Sequence, residues 1–211
     1  SGWLVCGEGD EGMTQLDMVS IVGKDTTILK NILVNTHLDL GKPVRVQVPP
    51  LRFGALNNIL LSTDKGTFQL YPDNLQPTEG SHLKWTFYNV NSAGKCVMTD
   101  FAQVMGYCRA MIIDGRFFYA NIYGSQSCNL DLPTNHYSGS DELFPIGESL
   151  GTGLKENSQT IVLYNKTKGC FVSQSSGYQA YCSDLKDKTT DSFSWAPGPD
   201  YQFVTTINTR K

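Results

Sequence analysis

The sequence predicts an all-β fold: a β-trefoil of three pseudo-repeats preceded by an N-terminal extension. Two observations carry that expectation. First, three stretches echo one another: Leu60-Leu61-Ser62-Thr63-Asp64-Lys65-Gly66, Phe118-Tyr119-Ala120-Asn121-Ile122-Tyr123-Gly124 and Phe171-Val172-Ser173-Gln174-Ser175-Ser176-Gly177. Each sets a bulky pair and a small or hydroxyl residue before a polar turn, and Gly66, Gly124 and Gly177 are separated by 58 and 53 residues. Second, short apolar alternations recur between turn signals, a pattern shared by sandwiches, barrels and trefoils. The threefold echo selects the trefoil.

Taken in order, residues 1–43 form the extension, which carries Trp3 and Cys6. Within it, Ile28, Leu29, Ile32, Leu33 and Val34 fall at partly helical spacing and predict a short helix over Thr26–Val34. The trefoil covers 44–211. Its first repeat, 44–90, holds strands at Val44–Val48 and Trp85–Tyr88; residues 91–107, bearing Cys96, form an insertion. The second repeat, 108–148, holds the apolar stretch Met111-Ile112-Ile113 near its start. The third, 159–204, opens with Ile161–Tyr164 and closes with Tyr201–Val204. Pro49-Pro50, Asp64-Lys65-Gly66, Asp114-Gly115 and Pro197-Gly198-Pro199 mark turns between them. Trp85 and Trp195 occupy equivalent repeat positions and read as core residues. Met18–Val22 followed by Gly23-Lys24-Asp25 is a fourth strand-and-turn set, so the identity of the inserted segment stays open.

Composition excludes several functions. At 211 residues the chain buries enough surface to fold without cross-links. Its net charge of -3 and lack of a Lys/Arg cluster argue against direct nucleic-acid binding. No apolar run is long enough to span a bilayer as a helix. The three histidines, His37, His82 and His136, are scattered and no Cys-x-x-Cys occurs, which argues against a metal. No cofactor motif is present: Gly151-Thr152-Gly153-Leu154-Lys155 lacks the strand-to-helix context of a phosphate loop. Ser138-Gly139-Ser140-Asp141 near His136 has the residue types of a hydrolase but sits among turn formers, so no catalytic residues are predicted.

Six cysteines suggest disulfides, and with them an oxidising, extracellular compartment. Cys96 and Cys108 are 12 residues apart, as are Cys170 and Cys182, a spacing that a hairpin can bridge. The second pairing is the firmer expectation. Cys6 and Cys128 also need partners, which leaves the pairing of Cys6, Cys96, Cys108 and Cys128 open.

The run Ile161-Val162-Leu163-Tyr164, Lys168-Gly169-Cys170-Phe171-Val172, Gly177 through Cys182-Ser183-Asp184 and Phe193-Ser194-Trp195-Ala196-Pro197 resembles a ricin-B-like repeat. More narrowly, it is similar to repeats in the A and C subunits of cytolethal distending toxins. Asn89–Cys96 also resembles the opening of such a repeat. Where ricin-type lectins carry Gln-x-Trp, this chain has Leu83-Lys84-Trp85, Glu142-Leu143-Phe144 and Phe193-Ser194-Trp195. The resemblance implies a non-catalytic subunit that binds a cell-surface glycan or glycoprotein. It further implies a secreted bacterial toxin assembly with a DNase-like subunit and a second trefoil subunit.

A sugar site needs an aromatic face for the ring and Asp, Asn or Gln for its hydroxyls. The third repeat offers Tyr178, Gln179, Tyr181 and Asp184; the second offers Tyr123, Asn129, Asp131 and Tyr137, with Asn135 nearby. The same residues suit a structural part, tyrosines packing at strand edges and aspartates capping turns. A trefoil protease inhibitor presenting loop 72–79 or 132–141 is the alternative function, and a scaffold subunit the third.

Overall fold

A computed structural model describes residues 2–48, 59–88, 91, 94–104, 108–121, 128–152, 160–174, 181–189 and 192–206. The described chain is all-β. Strands β1 (Gly2–Glu8), β2 (Thr14–Val22) and β3 (Asp25–Leu29) make one antiparallel meander. Strands β4 (Pro43–Gln47), β5 (Ile59–Thr63) and β6 (Gly66–Leu70) make a second. Strands β7 (Met98–Val104), β8 (Cys108–Ile113) and β9 (Arg116–Asn121) make a third. The fourth has four strands: β10 (Gly151–Thr152), β11 (Ile161–Asn165), β12 (Cys170–Gln174) and β13 (Cys182–Asp184). The chain divides into two compact units, Ser1–Met98 and Thr99–Lys211. Among the described residues no helix is long and apolar enough to cross a membrane.

The first unit is held by Leu16, Leu33 and Leu40 buried together with Leu61, Phe68 and Leu70. Each fully buried leucine contributes roughly 1.5–3 kcal/mol. Residues 2–43, expected as an extension, thus hold a sheet of their own that shares a core with β5 and β6. The helix expected over Thr26–Val34 is absent. Residues 25–29 are strand β3, and 32–35 are turns. Thr26, Thr27 and Ile28 are β-branched, lose rotamer freedom in a helix and fit a pleated sheet. Gly23 (φ 63°) closes the β2–β3 hairpin in two residues.

The β5–β6 hairpin turns at Asp64-Lys65, as its sequence signals. Gly66 (φ 153°) follows, and a Cβ there would collide with the His82 imidazole, which packs edge-on against Phe68 at 5.0 Å. Only glycine fits. Trp85, expected in the core on a strand, lies instead in a short 3-10 helix at Leu83–Thr86 and is 59% exposed. Its indole N–H donates to the Glu79 carbonyl at 3.1 Å, which tethers the exposed ring to the preceding turn.

In the second unit Ala110, Ile112, Phe117, Leu150, Ile161, Leu163 and Val172 form one core. The β8–β9 hairpin turns at Asp114-Gly115, both with positive φ (48° and 71°), the type I′ geometry that Asp-Gly favours. The β11–β12 hairpin closes through 166–169, with Gly169 at φ 65°. Tyr201–Val204, expected as a strand, pairs with none. The Tyr201 amide donates to Gly198 and its carbonyl accepts from the Tyr164 hydroxyl at 3.0 Å, which removes it from any ladder.

These ladders correct the echo that suggested a threefold repeat. Leu60–Thr63 belongs to the first strand of its hairpin, whereas Phe118–Asn121 and Phe171–Gln174 belong to second strands. Gly124 and Gly177 lie outside the described residues.

Candidate functional site

Two polar-aromatic clusters lie in the second unit, and each contains an acid and a tyrosine. The first joins two residues expected from sequence, Tyr137 and Asp184. The Tyr137 hydroxyl donates to Asp184 Oδ1 at 2.5 Å and accepts from Asn165 Nδ2 at 3.1 Å. Lys168 Nζ lies 3.2 Å from Asp184 Oδ2 and 4.0 Å above the Tyr137 ring. The Phe144 ring is a further neighbour of Tyr137 at 5.2 Å. Asn165, 1% exposed, accepts from the backbone of Thr167 and Lys168 and so shapes the hairpin loop that presents the lysine.

Burial, reinforced by the Asp184 hydrogen bond, pushes the Tyr137 hydroxyl up to about 12, so it stays protonated and is no general base near neutrality. Burial also pushes Asp184 up, but bonds from Tyr137 and Lys168 outweigh it and hold the carboxyl below its ordinary value. Lys168 is raised, chiefly by its bond to Tyr137. Each polar group of this cluster bonds another part of the protein, while the Lys168 and Asp184 side chains stay 49% and 44% exposed. It is a clasp between the 134–146 loop and the fourth meander.

Asn165 is also the acceptor of an Asn-Lys-Thr glycosylation sequon. In the folded chain its amide nitrogen is committed to Tyr137 and leaves no room for a glycan.

The expected Cys170–Cys182 disulfide is not formed; both are thiols. Cys182 pairs with Gln174 across the β12–β13 ladder, four residues beyond Cys170 on the same strand. At about 3.3 Å per residue that offset exceeds disulfide reach. Burial, then the nearby Asp184 carboxylate, pushes the Cys182 thiol up to about 12, and burial raises Cys170 too. Cys6 and Cys128 are thiols as well, Cys128 raised by burial to about 12 against the opposing charge of Arg109. Such thiols are poor nucleophiles. Cys96 is buried at φ 55°; the Cys108 side chain lies outside the described residues.

The other expected sugar residues are dispersed. Asn129 Oδ1 accepts from the Asp131 amide at 2.9 Å and closes a local turn. Buried Asn135 accepts from the Phe117 amide and donates to the Phe144 carbonyl at 2.7 Å, so it is structural. Tyr181 lies at the surface beside β13. Tyr123, Tyr178 and Gln179 lie outside the described residues.

The second cluster was not expected. A groove of about 550 Å³ runs along the 199–204 segment, between Glu148, Lys166 and Asp200, with Tyr201 and Gln202 on its wall. Its volume falls in the range of small-ligand sites. The floor is rigid. Phe203 stacks on Tyr164 at 5.2 Å and 15°, and Tyr164 is 4% exposed. Phe203 lies so close to Gly147 that a Cβ there would meet its ring at 2.5 Å. The Tyr164 hydroxyl pins the segment through the carbonyl of Tyr201. Tyr201 itself is 66% exposed, which leaves its ring open to solvent. The sequence signal was present in Pro197-Gly198-Pro199-Asp200, a turn-dense lead into an aromatic residue, but the pattern reads equally as a strand.

Among the described residues no group of three His, Cys, Asp or Glu is placed to hold a metal ion. No protein-family model, no curated protein and no solved structure matches the chain.

Proposed function

We propose that the protein is a non-catalytic glycan-binding protein and that the Tyr201 groove is its site. The observation that carries this reading is an exposed aromatic ring beside two carboxylates and an amide, Glu148, Asp200 and Gln202, over a floor of stacked aromatic rings. The ring supplies an apolar platform for a pyranose face. The acids and amide supply acceptors and a donor for its hydroxyls, and Lys166 a further donor. A preformed floor reduces the ordering cost of binding.

The finer reading of the fold is a ricin-B-like trefoil in a secreted protein. Three hairpins turn at 64–65, 114–115 and 166–169, so successive turns begin 50 and 52 residues apart, which supports a repeat of trefoil length. The β2–β3 hairpin, turning at 23–24, is a fourth that this spacing does not use. The toxin-subunit resemblance extends the proposal to a surface-binding subunit beside a DNase-like subunit and a second trefoil subunit.

A glycan array probed with the wild-type chain and with Tyr201→Ala tests the assignment. The expected result is binding to a defined glycan set by the wild type, reduced about tenfold in the variant, since a lost stacking ring removes on the order of 1.4 kcal/mol. Absence of glycan binding together with inhibition of a protease would replace this reading with the inhibitor alternative.

A further inference from the structure

The groove carries information about its ligand as well as its presence. The charged residues lining it are Glu148, Asp200 and Lys166, two carboxylates against one ammonium. Neither carboxylate is within ion-pair distance of Lys166 in the described ion pairs, which are Lys65–Asp39 and Lys168–Asp184. All three residues are exposed. The remaining walls, Tyr201, Gln202, Phe203 and Pro199, are uncharged.

From this arrangement we infer that the groove selects uncharged glycans and discriminates against acidic ones. The inference rests on the glycan reading of the same groove. Neutral sugar hydroxyls donate to a carboxylate, and a ring face lies on Tyr201 without regard to charge. A sialic acid carboxylate or a sugar sulfate in the same space meets two like charges and one opposite charge. The net effect is one unmatched repulsion, worth about fivefold in binding at contact distance in water. Like-charge opposition is a common device for excluding wrong partners. Because the groups are exposed, salt weakens the discrimination.

The test uses the full chain and three soluble probes: a lactosamine disaccharide, its sialylated form and its sulfated form. Binding is measured by calorimetry at low and at high sodium chloride. The expected result is neutral probe bound more tightly than either acidic probe at low salt, by up to about fivefold. That ratio should shrink toward one at high salt and in the Glu148→Gln/Asp200→Asn double variant. An acidic probe bound as tightly as the neutral one, or a ratio unchanged in the double variant, overturns the inference while leaving a glycan site in place. If none of the probes and no array glycan binds, the glycan reading falls and the selectivity with it.

Discussion

Tyr137 and Tyr201 sit in the same unit, each beside a carboxylate and a lysine, and they differ in what their neighbours have left to give. At Tyr137 the hydroxyl donates to the acid and accepts from the Asn165 amide, and Lys168 covers the ring. At Tyr201 the backbone carbonyl is bonded to Tyr164 while the ring remains exposed. One cluster is a clasp and the other a surface. Residue types alone do not separate them; the ledger of satisfied hydrogen bonds does.

The largest effect expected is on stability, at the heart of the clasp. Asn165→Ala removes a donor to Tyr137 and the acceptor that orders the 166–169 loop. It should cost about 2–4 kcal/mol in urea unfolding, as broken buried networks do. Gly147→Ala should cost about 1–3 kcal/mol by forcing the Phe203 ring away, and it should also weaken glycan binding because that ring floors the groove. A Gly147→Ala chain with normal stability would show that the floor is less closely packed than described. Tyr137→Phe should cost about 1 kcal/mol and leave glycan binding unchanged.

The clasp also predicts pH limits. Tyr137 and Lys168 are both raised in the folded state, so the stabilisation each lends is complete below its unfolded value near 10; that of Tyr137 is lost as pH climbs toward about 12, and that of Lys168 as pH rises through its own raised folded value. Asp184 is lowered, so its contribution is present above its unfolded value near 4 and disappears as pH falls through the lower folded value. Thermal unfolding followed from neutral pH to 12 should show a decline that is blunted in Tyr137→Phe. A parallel decline in both proteins would remove the tyrosine from the account. The smallest effect belongs to Tyr201→Ala, whose stability should stay within about 0.5 kcal/mol of wild type because the ring packs against solvent.

The contrast also explains what the sequence revealed. All-β character and the turns at Asp64-Lys65-Gly66 and Asp114-Gly115 were legible because turn chemistry is local. The pairing of strands was not. A stretch such as Phe171–Gln174 looks alike whether it opens or closes a hairpin, and the echo with Leu60–Thr63 matched opposite partners. The cysteine spacing failed for a related reason. Twelve residues permit a bridge only in one register, and β13 instead sets Cys182 opposite Gln174. Of the residues named from sequence, Tyr137 in the second repeat and Asp184 in the third were singled out by residue type alone, and the bond that joins them into a clasp is a tertiary fact. Tyr201 was seen but taken for a strand residue, since its exposure depends on a bond from Tyr164, 37 positions earlier.

Chemical-shift mapping of the isotope-labelled chain with an array-selected neutral glycan asks directly which tyrosine faces a ligand. Saturable shifts are expected in the amides of Lys166, Asp200, Tyr201 and Gln202, with those of Tyr137, Lys168 and Asp184 unmoved. Shifts centred on Tyr137 and Asp184, with the 199–204 segment silent, would contradict the assignment to Tyr201.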